Sequence, residues 1–352
     1  MMKIKIGLTH RTRLVKEGAH YRVEPDSVMF DNDGRFILSN ISINNIPFIH
    51  MRDEYSINIS LDDIMKRFGD KEFVYDIFGE AYDLENNSFN GFHSYNQTLE
   101  YFKNNNISDK LFIRTNNLST KYKNINHLPT IFWIGNSTDK STTNLKNFSS
   151  HFLIMINAVR PWRESFYNLC ESNNILNYSQ YSFNAVGLDE YPETNYKPKD
   201  YTSIEGYKIP GGAEETMCVY DFFHTSFINV VVETYFDNNI IFLTEKTDKP
   251  ILAKQPFIMV GGYKTLDMLK RIGFKTFDKW WSEDYDLIEN PTDRMNRIIE
   301  IMNEIKSWSL EKCKKVYDEM LPIIEHNYNR REWISENHQH QNCYSDLKKL
   351  TI

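Results

Sequence analysis

Between Phe227 and Gly262 the chain reads FINVVVETYFDNNIIFLTEKTDKPILAKQPFIMVGG, three apolar runs separated by polar breaks. The first run, 227–232, has the look of a buried strand and ends on the acidic Glu233. The turn residues Asp237, Asn238 and Asn239 lead into the second run, 240–243. A helical segment follows from Thr244, and the third run, 257–260, closes on Gly261 and Gly262. Short apolar runs alternating with helix predict βαβ units around a parallel sheet. In such sheets ligands bind beyond the carboxyl ends of the strands, where helix N-termini point.

The same pattern, less regular, runs through the rest of the chain. Strands are expected over 152–156 and 273–277, and helices over 163–171, behind Pro161, and over 265–271, 293–305 and 310–324. The end, 327–341, is polar with scattered aromatics and histidines, and Trp280 and Trp281 read as a packing anchor. Upstream, extended segments are expected over 3–8, 35–39 and 46–51, and strands over 74–78, 111–114 and 130–134, with a helix over 95–103. The Asn-, Ser- and Thr-rich stretch 136–150 has little to bury and reads as a connection between domains. Residues 187–216 carry several prolines and glycines without periodicity, the mark of a functional lid or a disordered segment.

At 352 residues two domains are the natural prior, drawn here at 1–145 and 146–352. A net charge of -7 excludes a strongly basic nucleic-acid binder, although a local basic face stays open. Aromatic content of 14% is high and suits either core filling or stacking on sugars and bases. Cys170, Cys218, Cys313 and Cys343 show no metal-ligand spacing and read as reduced thiols of a cytoplasmic protein. The opening residues are too weakly apolar for a signal peptide, and no window reaches membrane-span length, so no membrane partner is expected. An excess of lysine over arginine and abundant asparagine fit an AT-rich genome such as that of a phage, a giant virus or a low-GC bacterium, so a viral protein would work in host cytoplasm.

The candidate chemistry lies at Thr244, Glu245 and Lys246. Thr244 can cap a helix whose first turn offers unpaired N–H groups, and Lys246 adds a full positive charge beside them, a setting for a diphosphate. Glu245 can accept hydrogen bonds from ribose or sugar hydroxyls. The competing reading is a plain cap with Glu in the first turn and a solvated Lys.

The stretch resembles the signature of the alpha-1,3-fucosyltransferases, in which Phe-Glu-Asn-Ser is followed by Tyr-Val-Thr-Glu-Lys, a helix and Ala-Gly-x-x-Pro-Val-x-x-Gly. Here the order is Val232-Glu233-Thr234, then Phe242 through Lys246, then Ala253 through Gly261. A looser match lies at Asn157 to Leu169, where the family has an Asn, a gap and an Arg opening a helix that continues with Phe-Tyr. The likeness covers roughly 150–265. It implies an α/β protein of the GT-B superfamily, two Rossmann-like domains facing across a cleft, the first binding an acceptor and the second a nucleotide-sugar donor, with closing helices that reach back over the first. It also implies that Arg163 contacts the donor's diphosphate and that Glu233 holds the loop or the donor.

Sugar transfer needs a held donor, a stabilised leaving diphosphate and a carboxylate that takes the acceptor's proton. Arg163 and Lys246 would stabilise the leaving group in place of a metal ion. The acidic pairs Asp31/Asp33 and Asp284/Asp286 read as solvated turns rather than metal motifs. Glu80, at a predicted strand end, is the first choice of base, ahead of Asp76, Asp53 and Glu54; His224 is a further residue to place beside the site or in the packing. Three functions follow. The first is an inverting, metal-independent glycosyltransferase using a nucleoside-diphosphate sugar such as GDP-fucose as co-substrate, with no other cofactor, and a glycan acceptor. The second is a phage glycosyltransferase acting on hydroxymethylated bases in duplex DNA. The third is a non-catalytic nucleotide-sugar or glycan-binding protein. Nothing in the pattern specifies an oligomeric state.

Overall fold

The chain divides into two units, Met1–Thr130 with His340–Ile352, and Ile131–Gln339. The computed structural model describes, in the first, a set of strands up to residue 77, then 100–115, 117–118 and 126–129. In the second it describes 134–135, 137–139, 145–158, 160–186, 201–202, 217–218 and 221–338. The protein is α/β, with parallel sheet in both units.

The first unit holds a five-stranded sheet in the order Asn126–Pro129, Leu111–Thr115, Glu72–Ile77, Ile46–Arg52, Ile41–Ile43. Its first four strands are parallel and the last is antiparallel. A four-stranded antiparallel sheet precedes it, built from Arg13–Glu17, His20–Glu24, Val28–Phe30 and Phe36–Leu38. A strand lies at Asn126–Pro129; of the strand expected over 130–134 only Ile134 is described, in a turn, and the rest lies outside the described residues. The helix expected over 95–103 is described from 100, and runs to 104. Asp76 lies in the strand Glu72–Ile77, whereas Glu80, Asp53, Glu54 and the pair Asp31/Asp33 lie outside the described residues.

In the second unit we number the elements β1 (Ser150–Ala158), α1 (Pro161–Ser172), β2 (Ser179–Val186), β3 (Tyr201–Thr202), α2 (Phe222–Thr225), β4 (Ser226–Val232), α3 (Glu245–Leu252), β5 (Phe257–Val260), α4 (Thr265–Arg271), α5 (Pro291–Ile305) and α6 (Leu310–His338). The sheet order is β3-β2-β1-β4-β5, parallel except for β3 at the edge. The strands of 227–232 and 257–260 are buried along their whole length, as continuous apolar runs require of a sheet covered on both faces. Pro161 suits the first position of α1, where its missing N–H costs nothing. Arg163, Phe166, Tyr167 and Cys170 then form the buried stripe of α1 at helical spacing.

Three expectations are corrected. The run 240–243 forms no strand; its side chains are buried, but its backbone belongs to a loop pinned from both ends. The segment 273–277 is not a strand either, because side chains of α6 satisfy its backbone in place of a ladder. Asn327 bonds both the N–H and the carbonyl of Lys275 at 2.8 Å, and Arg330 Nε donates to the carbonyl of Ile272 at 2.9 Å. Finally, the last helix does not stop at 324. Its buried face passes through Cys313, Tyr317, Met320 and Ile324 and continues through Asn327, Arg331 and Ile334. Two polar residues on that face made the pattern look finished.

The stretch expected as a plain connection is fastened into the second unit. Thr138–Asp139 pairs with Met217–Cys218, and the N–H groups of Gly135 and Ser137 donate to the carboxylate of Asp248 on α3 at 2.8 and 2.7 Å. Arg331 of α6 closes the same carboxylate from the other side, at 3.0 Å from Nε. Of the long segment 187–216 only Tyr201–Thr202 is described. Of the pair expected as an anchor, Trp281 is buried against Phe277, which meets Phe257 of β5 edge-on, while Trp280 is half-exposed and donates to Glu319 of α6. Cys170 and Cys313 are free and buried, and among the described residues no helix is long and apolar enough to cross a membrane.

Candidate functional site

The chain leaves β1, builds α1 and β2 on one side, then returns past β1 to lay down β4 on the other. Such a reversal between neighbouring parallel strands opens a crevice at their carboxyl ends, where open α/β sheets bind ligands. Here that edge is made by Arg160 and the start of α1 after β1, by Glu233 after β4, and by Gly261 and Gly262 after β5.

Glu233 is the knot of the edge. It is 1% exposed, and its carboxylate accepts from Thr244 N–H at 3.0 Å, Thr244 Oγ1 at 2.7 Å, Thr247 Oγ1 at 2.6 Å and its neighbour Thr234 N–H at 3.3 Å. A carboxylate at a helix N-terminus meets both the orphan donors and the positive end of the dipole, and this one spends itself there. Its main chain does as much. The N–H donates to Val260 of β5 at 3.0 Å, and the carbonyl accepts from Arg163 of α1 at 2.7 Å. Glu233 therefore joins β4 to β5, α1 and α3 and holds the loop between them.

Between Glu233 and Thr244 the loop is held in the middle. Asp237 Oδ1 accepts from the N–H groups of Asn239 and Ile240 at 2.9 and 3.0 Å, closing an Asx turn. Arg294 of α5 donates to the carbonyls of Phe236 and Ile288 and to Asn238 Oδ1. Burial brings this guanidinium down to about 10. Gly262 shows how close the backbones run, since a Cβ there would stand 2.4 Å from the carbonyl oxygen of Ile240. Only glycine fits that crossing.

The start of α3 is where charge reaches solvent. Thr244, 2% exposed, caps the helix as predicted, its hydroxyl accepting from Lys246 N–H at 3.2 Å. Lys246 Nζ lies 2.8 Å from Glu245 Oε1 and 3.3 Å from Thr244 Oγ1. The Lys246 and Glu245 side chains are 26% and 17% exposed, so both are within reach of a ligand. Burial pushes the Glu245 carboxyl up, but the Lys246 charge and hydrogen bond, with Lys249 behind, outweigh it and hold the group below its ordinary range.

The structure thus brings Arg163, Glu233, Thr244, Glu245 and Lys246 to one edge through a single chain of bonds. Arg163 is 3% exposed and committed to the carbonyl of Glu233. His224 takes the packing alternative: it is buried in α2, ahead of β4, at the amino end of the strand, the opposite edge from these residues. The pair Asp284/Asp286 is corrected as well. Asp286 is buried and caps α4 through the N–H groups of Leu266 and Asp267, while Asp284 is held by Arg297.

Two residues at this edge escaped the sequence reading. Arg294 lies among the apolar positions of α5, where periodicity predicts only packing. Arg160, three residues before Arg163 and just beyond β1, holds its guanidinium carbon 5.3 Å from the centre of the Tyr235 ring. Trp162 stacks on Phe236 beside it, with centroids 5.2 Å apart. Position at a strand end was the signal available for Arg160. In comparison with known proteins, the chain matches no protein-family model and no curated protein.

Proposed function

We propose that the protein is a glycosyltransferase of GT-B type that moves a sugar from a nucleoside-diphosphate donor, GDP-fucose being one such donor, to an acceptor hydroxyl. The observation that carries this reading is the strand reversal between β1 and β4, with solvent-reaching Lys246 and Glu245 at its carboxyl edge. Lys246 meets the diphosphate at the start of α3, and Glu245 accepts from hydroxyls of ribose or sugar. Glu233 and Thr244 fix the loop that presents them, and Arg163 adds positive charge behind that loop.

In this reading the first unit binds the acceptor and supplies the base, for which Glu80 is the choice. The base takes the proton as the acceptor oxygen attacks the anomeric carbon. The bond to the diphosphate breaks on the far face, inverting the centre, and the pair of electrons leaves with the nucleotide. The positive charge of the protein stabilises that leaving group without a metal ion. The reaction belongs to the cytoplasm, with a glycan as acceptor.

Thermal-shift measurement against GDP-, UDP-, dTDP- and CMP-sugars tests the donor. A ligand that binds only the native state raises stability by about 2.7 kcal/mol at a hundred times its Kd, which is a clear rise in Tm. No shift with any of the four defeats the proposal. Binding without hydrolysis or transfer to any glycan leaves a binding protein in its place, and Glu80→Gln then changes nothing.

A further inference from the structure

We propose that Arg160, at the reversal between β1 and β4, is the guanidinium that meets the phosphate oxygens of the donor, and that Arg163 is a positioning residue behind it. The inference rests on the nucleotide-sugar reading above and divides two arginines three residues apart by what each is already doing.

Arg163 is spent. Its side chain is buried, and its Nη2 donates to the carbonyl of Glu233, the residue whose carboxylate caps α3. Turning Arg163 toward a ligand would release that carbonyl and loosen the loop that carries Lys246 to the edge. Its cation also lies 5.3 Å from the Trp162 ring.

Arg160 is differently placed. It is half-buried, and no carboxylate among the described residues pairs with it. Its Nε is shielded from water and makes no hydrogen bond, as is also true of Arg163 Nε, so the two differ in that Arg163 Nη2 is taken by the carbonyl of Glu233. The guanidinium carbon stands 5.3 Å from the centre of the Tyr235 ring, a cation–π contact that steadies it. A guanidinium carries its N–H donors in a planar fork that matches two phosphate oxygens at once. The residue also stands directly before α1, a twelve-residue helix that begins with no side-chain cap. Tyr235 belongs to the loop between Glu233 and Thr244, so the same contact ties the cation to the segment that delivers Lys246.

The test compares affinity for a diphosphate with affinity for its parent nucleoside, by calorimetry, on the full chain. The probes are GDP, UDP and dTDP with guanosine, uridine and thymidine. For whichever pair the wild-type protein binds, Arg160→Ala is expected to weaken the diphosphate about tenfold or more while nucleoside affinity holds. Arg160→Lys, which keeps the charge but not the fork, should fall between. Arg163→Lys should lower the Tm of the unliganded protein and reduce the ratio of diphosphate to nucleoside affinity less than Arg160→Ala does. The proposal is overturned if Arg160→Ala and Arg160→Lys bind the diphosphate as the wild type does, or if Arg163→Lys is the variant that loses the ratio. Binding of none of the three diphosphates by the wild-type protein would instead bring down the nucleotide-sugar reading, and this inference with it.

Discussion

The five-stranded sheet of each unit has four parallel strands and one antiparallel edge strand, but the chain travels through the two sheets differently. In the first unit the parallel strands Ile46–Arg52, Glu72–Ile77, Leu111–Thr115 and Asn126–Pro129 lie side by side in sequence order, so the chain steps one way and never turns back. In the second it steps from β1 to β2, then returns across β1 to β4. The reversal sets two strand ends together with their connections leaving in opposite directions, and the space between is where a ligand fits. Arg160, Arg163, Glu233 and Lys246 are gathered at that edge of the second sheet. The difference teaches that strand order, rather than strand content, marks which of the two sheets opens a crevice at its carboxyl edge.

The largest effect expected tests how firmly that edge is held. Asp248 is fully buried on α3 and receives Gly135, Ser137 and Arg331, all of them in the second unit. Breaking a buried pair strands the surviving charge, so Asp248→Ala should cost about 3–5 kcal/mol in urea unfolding. Hydrogen exchange should quicken in α3 and β4 more than in Leu111–Thr115; an equal rise in both sheets would remove the distinction drawn between them. Lys246→Ala comes next, and acts on binding. Its amine is partly exposed, so unliganded Tm should stay nearly constant, while donor affinity falls by about 1.5–3 kcal/mol. Loss of Tm with unchanged affinity would return Lys246 to a plain surface role. Gly262→Ala should then cost about 1–3 kcal/mol by forcing the 237–240 loop away from β5. A neutral result would mean that the loop has room to move.

How much of this was legible beforehand follows from what periodicity can see. The apolar runs of β4 and β5, the Pro at the start of α1 and the Thr244 cap are local signals, and each stands where the pattern put it. The run 240–243 carried the same signal and failed, because burial alone does not make a strand when Glu233, Arg294 and Gly262 fix the backbone as a loop. Asn327 and Arg331 hid the second half of α6, since they are polar residues on a buried face whose partners, Lys275 and Asp248, lie 52 and 83 positions away. Arg160 and Arg163 differ only in what they touch, and sequence spacing holds no record of touch. Long-range pairing of polar groups is thus the part a linear reading loses, and the candidate edge is built mostly from it.

The smallest effect expected separates the two carboxylates of that edge, and it is a matter of pH. Glu233 is closed inside four protein hydrogen bonds, whereas Glu245 depends chiefly on Lys246, with Lys249 behind, against the burial that pushes its carboxyl up. Because the folded-state value of Glu245 is depressed below its ordinary 4.5, the ionised group contributes stability above that pH. That contribution is lost as pH falls through the folded-state value, where the carboxylate takes up its proton. In Lys246→Ala the burial stays and the main opposing charge goes, so the Glu245 carboxyl should titrate at higher pH, read by carboxyl NMR. Whatever small difference in stability remains between wild type and Lys246→Ala near neutral pH should accordingly shrink as pH drops below 4.5. An unmoved Glu245 signal would mean that Lys249 and the helix start hold it down unaided, and that Lys246 is free to serve a ligand without giving up its neighbour.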